Sequence, residues 1–374
     1  MYNISQKDMK ENVYNTSKLA FHPEKITSLA NQRITAPIYV RIKPTNKCNH
    51  GCSYCSYAPN NECPVSEIIN MKDEIPKSKL LEILDDFKEI GVKAVTYSGG
   101  GEPLIYPNIS EIMKKTLDSE IDLSIITNGQ KLSGEKAEIL KNSKWVRVSS
   151  SENDAKIFSE IRKRPESWFY SLVNNIKNFA KIKNPDCELG INYVVYNDNF
   201  DRVYNSAKFF MGLGVNHIKF TPVYNPNFEE YHNPIKDKVM SQIEKARTEF
   251  SNPNFTIYDT YQNDFELTGL SKRSYPKCYI NQIIPVIGAD SIVYFCHDKT
   301  YTKNGALGSI KDMSFKELWF SKESKEKFDN FDPRISCKHH CTYDSRNILT
   351  GKMIKDPTNI KSYQPESDKH KNFV

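Results

Sequence analysis

The sequence predicts an α/β chain: a partial (β/α)6 TIM-like barrel followed by a small β-rich C-terminal domain. Three observations predict it. Six short β-like runs alternate with amphipathic helical segments, a group of cysteines follows the first run at once, and beyond about residue 258 the pattern turns to hairpins that carry a second cysteine group. Strand, helix, strand at this spacing means right-handed parallel crossovers, and six such units make three quarters of a (β/α)8 barrel.

Residues 1–35 are polar with scattered apolar positions (Val13, Leu19, Ile26, Leu29), which fits one or two short covering helices. The strands are read at Ile38–Ile42, Ala94–Tyr97, Leu123–Ile126, Trp145–Val148, Leu189–Val195 and His217–Phe220. The clearest helix between them sets Leu80, Leu81, Leu84, Phe87 and Ile90 on one face, with Ser78 as a cap and Gly91 just past its end. A helix over Asn233–Phe250 leads out of the barrel, which is expected to span residues 36–255. In 256–346, Ile283–Ile287 and Ser291–Phe295 flank the turn Gly288-Ala289-Asp290, and a helix follows at Ser314–Phe320. The remainder, 347–374, reads as a Lys-rich tail whose residues beyond Gly351 show no periodicity, and no internal repeat or low-complexity tract is present.

Lys plus Arg number 52 against 46 Asp plus Glu, a net +6 that is too even for a dedicated nucleic-acid binder. The 38% hydrophobic content suffices for a sizeable core, and neither disorder nor coiled coil fits. No stretch approaches the roughly 20 apolar residues that span a bilayer, and Met1–Asn12 lacks a signal core, so a soluble cytoplasmic protein is expected. Nine cysteines in two clusters argue for metal or redox chemistry in a reducing compartment over a secreted disulfide framework.

Cys48, Cys52 and Cys55 form C-x3-C-x2-C directly after the first strand, at the end of the barrel where an active site belongs. Three thiolates suit a [4Fe-4S] cluster, leaving one of its four irons open to a substrate or cofactor chelate. The competing reading is zinc, which usually takes four ligands. With Tyr54 before the last cysteine, the motif resembles the signature of the radical S-adenosylmethionine (SAM) family. Ser98-Gly99-Gly100-Gly101-Glu102-Pro103-Leu104, after the second strand, resembles that family's GGE motif. There the glycines let backbone approach the ligand, and Glu102 supplies an anion for the methionine ammonium.

The resemblance covers about residues 36–225. It implies SAM contacts from Tyr54, Gly99, Gly100, Gly101, Glu102, Asn128 in Thr127-Asn128-Gly129, and Ser149 and Ser151 in Ser149-Ser150-Ser151. The family's usual acidic residue two places after the fourth-strand serine is replaced by Ser151, with Glu152 beyond it. Arg162 or Arg164 resembles an arginine that pairs the SAM carboxylate. The family's chemistry, one-electron cleavage of SAM to a 5′-deoxyadenosyl radical, implies that Cys48, Cys52, Cys55 and Glu102 carry catalysis.

Cys278, Cys296, Cys337 and Cys341 lie in the β-rich segment, and four thiolates close either a zinc site or a second cluster. After such a barrel, Cys278…Gly288…Cys296 resembles the Twitch domain, a shortened SPASM domain with one auxiliary [4Fe-4S] cluster. His297, His339 and His340 are expected beside the cluster or exposed rather than ligating it. Cys187 reads as a packed free thiol and Cys63 as a thiol that could approach the active site, where a hydrogen donor would permit epimerisation.

A cluster closed by four cysteines has no open iron, so its expected use is electron transfer. The reading that follows is an oxidoreductase: a radical SAM dehydrogenase or epimerase acting on a small polyol, sugar or aminocyclitol, with flavodoxin or ferredoxin as donor by family resemblance and no nucleic acid or membrane as partner. His217, Lys219, Asn192, Tyr193 and Tyr224 are candidate substrate contacts. The alternative is a maturase of a ribosomally made peptide. The short segment of about 35 residues before the first strand weighs against it, because such enzymes often carry a leader-binding domain there. A non-catalytic scaffold needs neither an open iron nor Glu102 beside it.

Overall fold

A computed structural model describes residues 13–57, 66–225, 227–261, 273–337 and 341–374. Cys63, His339 and His340 lie outside the described residues. A short 3-10 turn (Lys18–Phe21) and helix α1 (Pro23–Ala30) precede strand β1 (Tyr39–Ile42). Strand and helix then alternate: α2 (Lys77–Ile90), β2 (Ala94–Tyr97), α3 (Ile109–Asp118), β3 (Asp122–Thr127), α4 (Gly134–Leu140), β4 (Trp145–Ser149), α5 (Ala155–Arg162), α6 (Ser167–Ile182), β5 (Glu188–Val195), α7 (Val203–Met211), β6 (His217–Pro222), α8 (Phe228–Phe250) and β7 (Thr256–Asp259). Beyond them lie β8 (Val286–Ile287), β9 (Ile292–Tyr294), β10 (Ala306–Ser309) and helices α9 (Phe315–Trp319), α10 (Lys322–Asn330), α11 (Pro333–Ser336) and α12 (Asp344–Lys355).

All six expected strands form, in parallel register from β1 to β6. The parallel run is longer than six, however. Thr256–Asp259 pairs parallel with β6 as a seventh strand, and the two-residue β8 pairs parallel with β1, giving one ten-strand sheet in the order β10-β9-β8-β1-β2-β3-β4-β5-β6-β7. The hairpin β8–β9 thus extends the barrel sheet itself. Four- and two-residue strands are too short to show a period, so their partners decide their conformation.

Val40, Ile42, Val95, Leu123, Ile125, Val146, Val148 and Ile191 pack outward into the core shared with the helices. Helix α2 ends at Gly91 in the left-handed conformation (φ 87°), where glycine bears no Cβ penalty. Its start differs from expectation. Pro76 occupies the cap position without a side-chain bond, and Ser78 lies inside the first turn, because Pro76 supplies a preset φ there. Helix α9 has the capping box of Ser314 and Glu317. Helix α8 begins five residues before the expected Asn233 and runs through Pro234.

The featureless tail is also corrected. Residues 344–355 are helical, and the last residues close the bottom of the barrel, where Phe373 meets Tyr39 and Trp145 edge-on at 5.4 Å each. Asn372 donates to Asp122 (2.7 Å) and Lys369 pairs with Glu188. Lysine-rich spacing hid two buried apolar residues, Phe373 and Val374, that dock as a plug. Among the described residues no helix is long and apolar enough to cross a membrane.

Candidate active site and auxiliary metal centre

The loop after β1 is pinned to the end of α5: Gly51 N–H donates to Arg162 O (2.9 Å) and Ser53 N–H to Ile161 O (3.1 Å). Two donors already face its sulfurs. His50 N–H points at Cys48 Sγ (3.4 Å) and Arg162 Nη1 at Cys52 Sγ (3.3 Å), which suits thiolates that carry charge. Cys48 is exposed, whereas Cys52 and Cys55 are half-buried.

The glycine run after β2 lies against this loop. A Cβ on Gly100 would stand 2.2 Å from Asn46 Oδ1, and one on Gly101 would stand 2.0 Å from Lys47 O, so no side chain fits between the turn and the cysteine loop. Lys43 Nζ reaches the Gly99 carbonyl (3.0 Å) and the Tyr57 hydroxyl (2.8 Å). Glu102 is buried and accepts from Leu104 N–H (2.9 Å), Thr127 Oγ1 (2.6 Å) and Asn128 N–H (2.6 Å). Burial raises its pKa while these three bonds lower it. A carboxylate has about four acceptor positions, so one is left for an ammonium. Ser98 Oγ and Asn49 Nδ2 are buried beside this cradle without partners, as groups waiting for a ligand would be. The residues present therefore fit SAM and its cluster.

Below them, Arg162 departs from expectation. Its fork closes on Glu152 (Nε to Oε1 3.0 Å, Nη2 to Oε2 2.9 Å), with side-chain exposures of 4% and 0%, and Nη2 also reaches the Ser149 carbonyl (3.0 Å). Burial would lower the guanidinium's pKa, but Glu152, Tyr54 and Cys52 hold it well above its ordinary value. Arg162 thus spends its bidentate face on an internal carboxylate and presents only Nη1 to the cysteine loop. Arg164 Nε donates to the Asn49 carbonyl. Ser151 Oγ accepts from Val194 N–H (2.9 Å) and meets Tyr54 OH at 3.3 Å, and Asn128 Nδ2 donates to Asn49 Oδ1 (2.8 Å). The predicted SAM-contacting residues are thus brought to one end of the sheet.

In the C-terminal segment Cys278, Cys296, Cys337 and Cys341 line one cavity with Arg273 and Tyr343. Burial first, then the charge of Asp298 and of the other three thiols, raises Cys296 well above its ordinary value. That mutual repulsion is what bound iron would relieve. Among the described residues no three His, Cys, Asp or Glu groups are set to hold a single metal ion. A cubane cluster holds its ligands farther apart. The cavity is braced by residues the sequence reading missed: Arg273 pairs with Asp344 (3.0 Å), Tyr275 donates to Asp344 (2.7 Å), and Asn347 accepts from Tyr279 N–H (2.7 Å).

Of the expected substrate contacts, His217 lies at the closed end of the barrel, bonded to Tyr14 OH (2.9 Å) and 3.5 Å from Glu188. Burial holds its imidazole below the ordinary value. Being the first residue of β6 places it far from the cysteine loop. Tyr193 points outward, donating to the Asn199 carbonyl (3.2 Å), because alternate residues of β5 face the helices. Asn192 faces inward, bonded to Thr221 (3.2 Å); Lys219 lies 4.7 Å over the Tyr14 ring, and Tyr224 is exposed. His297 stands beside the Tyr57 ring at 6.5 Å; burial first, then Arg41, Lys43 and Arg147, holds it well below its ordinary value. Cys187 is buried against Ser143.

The Radical SAM superfamily model matches residues 42–210, and the SPASM iron-sulfur cluster-binding domain matches 278–342. The chain belongs to the radical SAM superfamily. Its cofactors are a SAM-binding [4Fe-4S] cluster, SAM itself and an auxiliary cluster in the SPASM-type segment. It is 29% identical over 150 residues to a GTP 3′,8-cyclase of Clostridium perfringens (39% of this chain, 45% of that protein). It is 27% identical over 201 residues to a serine-type anaerobic sulfatase-maturating enzyme of Bacteroides thetaiotaomicron (50% and 46%), and 25% identical over 170 residues to a PqqA peptide cyclase of Granulibacter bethesdensis (46% and 43%). The chain spans about half the length of these curated relatives. Among solved structures, Streptococcus suis SuiB bound to precursor peptide SuiA superposes with TM-score 0.60 at 17% identity (84% of this chain, 71% of that one). Native anSMEcpe with bound AdoMet gives 0.57 at 20% identity (87% and 99%). These two share the fold.

Proposed function

We propose that this radical SAM enzyme oxidises a residue of a peptide or protein. The observation that carries the reading is the four-cysteine cavity joined to the barrel sheet through β8: it offers ligands enough to close a cluster, and so a place for an electron instead of a bound substrate. Relatives with peptide or protein modification in their names support this substrate class over the polyol, sugar or aminocyclitol first expected.

The bound cluster and SAM supply a 5′-deoxyadenosyl radical that takes one hydrogen atom from a substrate C–H bond. The chain's part is placement. Cys48, Cys52 and Cys55 hold the cluster, the cradle of Gly99 to Gly101 and Glu102 hold the methionine end, and Arg162 with Glu152 fixes the loop beneath it. Cys278, Cys296, Cys337 and Cys341 would hold the auxiliary cluster, which would supply an acceptor for the one electron that the substrate gives up as a proton leaves to solvent or a base, so that two hydrogens leave in all. A flavodoxin- or ferredoxin-type carrier would supply the one electron that cleaves SAM and would take up the one that the substrate gives to the auxiliary site, so that no net electron is consumed.

The test is anaerobic incubation of reconstituted enzyme, SAM and reductant with a tryptic peptide pool or with a panel of polyols and aminocyclitols. Peptides are expected to raise 5′-deoxyadenosine above the uncoupled rate and to yield a product lighter by two hydrogens. Stimulation by the polyol panel alone would overturn the peptide reading.

A further inference from the structure

The inside of the barrel carries cations that the reading above does not use. On β1, Val40 and Ile42 face the helices while Tyr39, Arg41 and Lys43 face inward; on β4, Val146 and Val148 face the helices while Trp145, Arg147 and Ser149 face inward. Arg41 Nε donates to Tyr39 OH (3.0 Å), a neutral group, and Arg147 lies 6.0 Å from the Trp145 ring and bonds the hydroxyl of Tyr14, also neutral, while its Nε is buried and unpartnered. Among the described residues, no carboxylate lies within ion-pair distance of either arginine.

The acids nearby are already taken. Glu152 closes on Arg162, Glu102 on Thr127 and Asn128, Glu188 on Lys369, and Asp298 on Thr342 (2.9 Å to its N–H). Two guanidiniums drawn away from water without a counter-ion are costly unless an anion arrives from outside. The auxiliary cluster does not provide it for both, since Arg147 stands three strands from β1, about 14 Å across the sheet, and farther still from the β8 edge. His297, whose Nδ1 is also buried without a partner, extends the same lining toward the Cys296 side. Paired planar forks are the groups that recognise a carboxylate in two-bond fashion.

Resting on the peptide reading, we propose that the lumen between Arg41 and Arg147 is an anion subsite that seats the carboxylate of an acidic side chain of the substrate peptide, fixing which neighbouring residue meets the radical. The reconstituted holoenzyme is titrated calorimetrically with acetyl-Gly-Glu-Gly-amide, acetyl-Gly-Gln-Gly-amide and inorganic pyrophosphate. The glutamyl peptide is expected to bind at least about tenfold more tightly than the glutaminyl one. Arg41→Gln and Arg147→Gln should each erase that preference, with melting temperatures equal to or above wild type. Equal affinity of the two peptides in the wild type would overturn the subsite. So would pyrophosphate binding more tightly than the glutamyl peptide, which would assign the arginines to a phosphorylated ligand. A fall of several degrees in the melting temperature of both variants would overturn it too, by showing that the guanidiniums have counter-ions within the chain. Formation of 5′-deoxyadenosine by wild type is read in parallel: its absence would sink the radical reading, whereas its presence without a glutamyl preference would sink the subsite alone.

Discussion

Replacing Glu152 by Gln keeps the shape beneath the cysteine loop and removes one charge from a pair whose side chains are almost wholly buried. The fork of Arg162 would then face a neutral amide, and Ser151 N–H, now 3.0 Å from Glu152 Oε2, would lose its charged acceptor. Breaking a buried pair from one side costs about 3–5 kcal/mol. With an unfolding entropy of about 2.1 cal/mol/K per residue, the 374 residues convert that into a melting-temperature drop of about 4–6 °C. Anaerobic calorimetry of wild type, Glu152→Gln, and the double variant Glu152→Gln/Arg162→Met measures it. The double variant should recover much of the loss, because no uncompensated charge remains. A single variant within about 1 °C of wild type would refute the claim that the pair holds the loop, and a double variant worse than the single would refute the charge argument.

Gly101→Ala would drive a methyl to 2.0 Å from the Lys47 carbonyl; SAM binding measured by equilibrium dialysis should fall by at least about tenfold while secondary structure by circular dichroism is retained. Iron and sulfide assays should give about eight irons per wild-type chain and about four after Cys48, Cys52 and Cys55 are all changed to Ala, with 5′-deoxyadenosine from wild type alone. Phe373→Ala empties the plug between Tyr39 and Trp145, and by analogy with other buried aromatic truncations it should cost about 3–5 kcal/mol, read as a lower denaturant midpoint. Glu188 is held near 2: burial raises its pKa, and the His217 and Lys369 contacts outweigh burial. Its stabilisation is thus complete above the unfolded value near 4.5 and is lost as pH falls from there toward 2, so the gap in melting temperature between wild type and Glu188→Gln should shrink over that window.

Much of this was legible from the chain because the signals are local. Val40, Ile42, Val95 and Val146 announce strands by burial-type residues between helical periods, and C-x3-C-x2-C with Gly99 to Glu102 announces its chemistry by spacing. Thr256–Asp259 and Val286–Ile287 were not legible as parallel strands, since a few residues carry no period and their partners lie far away in sequence. The same holds for Phe373, buried only because Tyr39 and Trp145 leave a hole for it. Arg162 looked free for a ligand because its partner Glu152, ten residues earlier, sits across a helix start that capping rules place but side-chain direction does not. The inward alternation of Tyr39, Arg41 and Lys43 was visible in principle, as charge on one face of a buried strand.

The bond between β8 and β1 has a kinetic consequence. The strand that launches the Cys48 loop is laddered directly to the hairpin that delivers Cys296, so the two sulfur sites are spaced by backbone hydrogen bonds and not by a hinge. An electron crossing between them would tunnel over a gap that domain motion does not modulate. Transfer measured by rapid freeze-quench should accordingly be indifferent to added viscogen, leaving substrate entry and product departure as the steps that solvent friction can slow.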